Sequence, residues 1–374
     1  MNTNLDNVGR LLAEAYDRAS DRCRSLEPNE WTAVAARMAA DFRAGVAHRT
    51  YLRLQPYESA IAGKAVLDIG CKFGHFMPVF FLLGASAVIG VDVVPQYVEI
   101  GRALFGALYP NVSYILADGP YLPLQPETVG FVCLDEVISH VNPTFLDVLW
   151  GETARVLAPG GRLFVSDGNN LLARYSQNTL TKLYRAWELA PEGTRTDRDT
   201  VSECFRSRRG KFIAANFPKL AEAELDSLSK NTSGLFGAHL CQTVEAYLHT
   251  GALIRRPYRP GCCPTAPETG GTVMERGFYP EQIVMALWSQ GLAAREVRKE
   301  PEGSGVRGLT RRFCFHILPW VERLAWTLRQ QLSSPIVQVV AEKPSAIADI
   351  IPAGRSSVNG GWSDQKAAPE AGKA

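Results

Sequence analysis

Between residues 61 and 171, five short apolar runs alternate with helix-like segments, and each run ends at or near an aspartate. The runs are 64–69, 86–92, 112–118, 129–135 and 161–167. Segments near 75–84, 95–109 and 143–158 read as helices, and Pro159-Gly160-Gly161 stops the last of them. Buried strands alternating with helices fold as a parallel, doubly wound α/β sheet, because parallel neighbours need a crossover and the crossovers cover both faces. Ligands bind such sheets outside the carboxyl ends of the strands. Asp68, Asp92, Asp118, Asp135 and Asp167 all fall at those ends. A set of acids there suits a ligand with hydroxyls and amines better than a bare phosphate.

The first turn carries Asp68-x-Gly70-x-x-x-Gly74. Gly70 permits a tight turn and a close approach of ligand to backbone, and Gly74 permits close packing as the next helix begins. Asp92 ends the second run, where a carboxylate can accept both hydroxyls of a ribose. The dinucleotide fingerprint is not matched, since Lys72 stands at its second glycine position and His75 follows Gly74. No phosphate-cradling G-x-x-x-x-G-K-[ST] loop is present, which argues against a nucleoside triphosphate.

These motifs, taken in order, resemble the class I S-adenosylmethionine-dependent methyltransferases. The matching pieces are Val66-Leu-Asp-Ile-Gly-Cys-Lys-Phe-Gly74, Gly90-Val-Asp92, Ala117-Asp118-Gly119, Asp135-Glu-Val-Ile-Ser-His140 and Arg155-Val-Leu-Ala-Pro-Gly-Gly-Arg-Leu163. Two further pieces, at 277–283 and 335–344, continue the likeness. The resemblance implies a seven-stranded Rossmann-like sheet and S-adenosylmethionine as cofactor. It implies that Gly70 and Gly74 form the loop under the methionine, that Asp68 assists its amino group and that Asp92 holds the ribose. Asp118 would accept from the adenine amine beside the Gly119 backbone, and Asp135 joins the cofactor-binding set. The departure is Lys72, where many members have glycine; its ammonium either reaches the cofactor carboxylate or points to solvent.

Methyl transfer to an alcohol oxygen needs the nucleophile aligned and its proton removed, and histidine suits the second task near neutral pH. His140, just after the fourth strand, is the leading base, with pocket lining as its alternative role. Asp167 is the second catalytic candidate. Asp135, Asp167 and Asn169 faintly resemble a magnesium set, but Gly168 separates the Asp and Asn that are adjacent in metal-dependent O-methyltransferases, and no metal is expected. Cys133 lies within a strand and reads as core rather than as a nucleophile.

The rest of the chain divides into a helical N-terminal cap (1–60), a helical insert after strand five (172–271), a return to the core (272–344) and a disordered tail (345–374). In the cap, Leu11, Leu12, Ala15 and Tyr16 recur at helical spacing, and so do Trp31, Val34, Met38 and Phe42. The insert is expected to act as a substrate lid. It holds 14 basic and 10 acidic side chains, with Arg195, Arg198, Arg206, Arg208, Arg209 and Lys211 clustered. That cluster reads either as a solvated helix face or as an attraction for an anionic acceptor. Residues 311–332 read as an amphipathic helix, packed on the sheet or at a homodimer interface, or else lying on a membrane. Forty basic against 38 acidic residues give no global field for nucleic acid. Eight scattered cysteines and an N-terminal stretch without an apolar leader point to a cytoplasmic protein. The expected activity is methylation of a small biosynthetic acceptor, first of all an oxygen of a sugar or glycan intermediate. The alternatives are a nitrogen or carbon of a small molecule, RNA, or binding of the cofactor without catalysis.

Overall fold

The computed structural model describes residues 5–25, 40, 45–117, 119, 121–197, 200–253, 255–268, 275–297 and 333–345. Seven strands form one sheet: β1 (Ala65–Ile69), β2 (Ala87–Asp92), β3 (Val112–Leu116), β4 (Val129–Asp135), β5 (Leu157–Asp167), β6 (Ala293–Glu296) and β7 (Val337–Glu342). Their order is β3-β2-β1-β4-β5-β7-β6. The first five are parallel, and β7 runs antiparallel to both β5 and β6. The chain reverses direction across the sheet between β1 and β4, which opens a crevice at the carboxyl ends of those strands.

The two-residue repeat of each strand sorts its side chains between two cores. Val66, Phe131, Cys133 and Phe164 join one cluster, with Leu12 and Tyr16 of α1 (Leu5–Ser25) and Tyr51 and Leu54 of α2 (Val46–Leu54). Leu67, Val132, Leu134 and Val165 face the other way, toward Leu149 and Trp150 of α3 (Pro143–Val156) and Leu287 of α4 (Pro280–Ser289). Local signals start these helices. The Asn142 side chain accepts from the Thr144 N–H at the start of α3, and Pro143 and Pro280 take first-turn positions where no N–H is needed.

The fifth strand differs from its expected bounds. Strand β5 begins at Leu157, directly after α3, and runs through Pro159-Gly160-Gly161. The register against β4 slips there: Val129 pairs with Leu157, then Phe131 with Arg162. Gly160 takes φ 71°, so the Pro-Gly-Gly run builds an irregular strand entry and not only a helix stop.

Between β5 and α4 lie four helices: α5 (Arg174–Leu189), α6 (Phe205–Asn216), α7 (Glu222–Asn231) and α8 (Gly237–Thr250). They carry small cores of their own, one around Leu183, Trp187 and Phe205, another around Ile213, Leu228 and Val244. The Trp31–Phe42 periodicity, the 311–332 segment and the tail beyond Ser345 lie outside the described residues, apart from residue 40.

Candidate functional site

The crevice is a cleft of about 560 Å³, a size suited to a nucleoside-like ligand. Gly70 and Lys72 wall it from the β1 turn, Asp92 and Val93 from β2, and Glu136 and His140 from the segment after β4. Gly70 sits at φ 69°, and a Cβ there would collide with Val137, another wall residue. Its N–H donates to the Val91 carbonyl at 2.8 Å, tying the turn to β2.

Asp92 is 7% exposed. Its two oxygens accept from the Lys72 N–H at 2.7 Å and the Val94 N–H at 2.9 Å. A carboxylate has about four acceptor sites, so two remain for a ligand in the cleft. Lys72 makes its bond from the left-handed region, φ 53°, where a glycine would sit without strain. Gly119 borders the same cleft, while Asp118 lies outside the described residues.

Asp68 is 3% exposed and has no hydrogen-bond donor among the described residues. Burial, then Asp135 and Asp92, push its carboxyl well above the usual range. The neutral acid is favoured there, and Asp68 is not among the residues that line the cleft. Asp135 is already engaged: Arg53 of α2 grips both its oxygens, at 3.0 and 2.7 Å, and also donates to the Ser166 hydroxyl at 3.1 Å. Burial works against the Arg53 charge, but Asp135 outweighs it and the pKa rises. Gly74 does not border the cleft. It makes room for the Tyr114 hydroxyl, which donates to the Phe73 carbonyl at 3.2 Å. The cap reaches this loop as well, since the Tyr16 hydroxyl donates to the His75 carbonyl.

His140 closes a short 3-10 turn (Ile138–His140) and keeps 43% of its side chain exposed. Its Nε2 lies 3.7 Å from a Glu275 carboxylate oxygen. Asp167 lies below that turn and is fully buried. One of its oxygens accepts the Ser139 N–H at 3.0 Å and the other has no hydrogen-bond partner among the described residues. Burial, with Glu136 adding to it, raises the Asp167 carboxyl to about 7, against the pull of Ser139. Glu136, held at φ 57°, accepts the Gly168 N–H at 3.1 Å, and desolvation and Asp135 raise its carboxyl too. The Cys133 thiol is pushed up by burial and by Asp68, which disfavours a thiolate nucleophile.

The basic cluster of the insert is largely neutralised inside the insert. Arg206 pairs with Asp226, Arg208 with Glu268, Arg209 with Glu188 and Lys211 with Glu203. The Arg209–Glu188 pair is buried, at 0% and 1% side-chain exposure. These four residues are thus paired within the insert, three of them at its surface and one in its interior. Arg198 lies outside the described residues.

Arg53 and Glu275 were not singled out by sequence reasoning. Neither sits in a local motif; Arg53 is 82 positions from the aspartate it holds.

Residues 66–161 match the model of a methyltransferase domain family. That segment is similar to a methyltransferase domain. A ubiquinone biosynthesis O-methyltransferase of Xylella fastidiosa is 31% identical over 143 residues, 38% of this chain and 56% of that protein. A phosphoethanolamine N-methyltransferase of wheat (Triticum aestivum) is 27% identical over 108 residues, 28% of this chain and 22% of its own length. The chain thus spans from about a fifth to just over half of these relatives. A solved S-adenosylmethionine-dependent methyltransferase structure from Listeria monocytogenes, described there as putative, aligns with a TM-score of 0.41 and 13% identity, over 79% of this chain and 97% of that one. Among the described residues, no helix is long and apolar enough to cross a membrane.

Proposed function

We propose that this chain transfers a methyl group from S-adenosylmethionine to a hydroxyl oxygen of a small biosynthetic intermediate, a sugar or glycan precursor first of all, in the cytoplasm. The observation that carries the reading is that Asp92 and His140 open on one cleft at the strand ends. Asp92 has acceptor sites left for the ribose hydroxyls. The Gly70 turn lets the ligand approach the backbone, and Gly119 lines the base end, where Asp118 of the motif follows the resemblance. Asp68, buried and without a hydrogen-bond donor among the described residues, suits the ammonium of the methionine part. Arg53 keeps Asp135 from adding a second uncompensated charge there.

When bound, S-adenosylmethionine supplies an already activated methyl group on a sulfonium. The protein then has to orient the acceptor, exclude water and take one proton. His140 is the residue proposed to take it. A second reading, methylation of an amine, is favoured by the carboxylates of Glu136, Asp167 and Glu275 near the same turn.

Calorimetry with S-adenosylhomocysteine tests the donor site. Asp92→Ala should weaken binding about 100-fold, the value of two hydrogen bonds to a charged acceptor; unchanged affinity refutes the assignment. Product release from methyl glycosides, catechols and primary amines then separates the two acceptors. His140→Ala should cost about 100-fold or more in turnover of a hydroxyl acceptor, and normal turnover refutes the base.

A further inference from the structure

Glu275 stands on the segment returning from the insert to α4, at φ 47°, a left-handed conformation that a glutamate holds only when its surroundings fix it. Four hydrogen bonds around it do so. Its Oε2 accepts from the Asn169 amide at 2.8 Å. Its carbonyl accepts the Tyr184 hydroxyl at 2.8 Å, and the Gly277 N–H donates back to that hydroxyl oxygen at 3.0 Å. The Arg276 N–H donates to the Ser139 carbonyl at 2.9 Å, fastening the segment to the turn that presents His140. Tyr184 belongs to α5, so an insert helix holds the backbone that leaves Glu275, on both sides of Arg276. The other oxygen, Oε1, is the one 3.7 Å from His140 Nε2.

We propose that Glu275 is a positioning residue for His140 and that the insert, through Tyr184, assembles the base. This rests on the reading of His140 given above. A carboxylate beside Nε2 turns the ring so that Nε2–H faces it, and the partner of one ring nitrogen sets the role of the other. Nδ1 then keeps its lone pair for the acceptor. The acceptor O–H bond breaks, its proton goes to Nδ1, its electron pair stays on oxygen, and the imidazolium charge forms beside Glu275. The charged groups near the turn include Glu136 at the end of β4 and Asp167 beneath it, both acidic, Arg276, whose N–H meets the Ser139 carbonyl, and Lys72 on the cleft wall, while Arg53 is committed to Asp135.

The test uses full-length protein with ring-15N histidine, bound to S-adenosylhomocysteine. The His140 signals are assigned by their loss in His140→Gln. The wild type should show a His140 ring N–H resonance that exchanges slowly with water. Glu275→Gln and Tyr184→Phe should both lose it while keeping S-adenosylhomocysteine affinity within about twofold, the control for folding. With a methyl glycoside or catechol that the wild type turns over, Glu275→Gln should lower kcat roughly 10–100-fold, and Glu275→Asp should recover part of it. An N–H resonance and kcat both unchanged in Glu275→Gln overturn the proposal. If His140→Ala stays active, the base reading itself fails; if His140→Ala is inactive and Glu275→Gln is fully active, only the role of Glu275 fails.

Discussion

Replacing Asp167 with asparagine isolates the cost of one buried carboxylate. The Asp167 carboxyl is raised from 3.8 to about 7 in the folded protein, chiefly by burial. Between those values the folded chain keeps a proton that the unfolded chain has released. Stability must then fall as pH rises through the window, because the native state binds more protons there. Each unit corresponds to about 1.4 kcal/mol, so the loss from pH 5 to pH 8 is about 3 kcal/mol. Asparagine keeps an oxygen for the Ser139 N–H and carries no charge to bury. Glu136 is raised as well, but it stays in both proteins, so the difference between them reports on Asp167. Urea unfolding of wild type and Asp167→Asn at pH 5 and pH 8 is the assay. The variant should gain about 3 kcal/mol on the wild type between the two pH values. Equal pH dependence in the two proteins would refute the argument.

Three further outcomes are expected. Lys72→Gly should raise the unfolding free energy by up to about 1 kcal/mol, seen as a higher urea midpoint, because glycine takes φ 53° without strain; an unmoved midpoint contradicts this. Gly74→Ala should destabilise by about 2 kcal/mol or more, since its Cβ meets the Tyr114 hydroxyl. Adding Tyr114→Phe should recover part of that loss in the same melt. Glu188→Ala should cost about 3–5 kcal/mol by leaving Arg209 buried and unpaired. The damage should be local: faster proteolysis within 174–250, with S-adenosylhomocysteine binding retained.

The first five strands were legible because each is a short apolar run closed by a turn-forming residue, and those signals are local. The same holds for Gly70 and Asp92, whose roles follow from position at a strand end. Contacts between distant parts of the chain left no such mark. Arg53 meets Asp135 across 82 positions, and Tyr184 meets Glu275 across 91. Asp135 read as one more strand-end acid, yet its charge is taken by a helix of the cap. Charge counting also overstated the insert, because composition records Arg209 but not that Glu188 lies against it. Gly74 fitted a loop motif by spacing, whereas the ring of Tyr114 is what demands a small residue there.

The place of β7 has a consequence for how the chain is made. Asp167 at the end of β5 pairs with Val337, and β6 has β7 as its strand partner in the sheet. Asn170, just past β5, also donates to the Pro335 and Ser334 carbonyls, at 3.0 and 2.8 Å. During synthesis, then, β5 leaves the ribosome with an open edge and waits while the whole insert follows it. The insert helices have their own apolar clusters and can begin to order meanwhile. The exposed edge of β5 is the hazard of that interval, since unpaired strands recruit other chains. A stop codon just before β7 would leave two strands without their neighbour, so an early truncation there should yield aggregate and not a shorter folded chain.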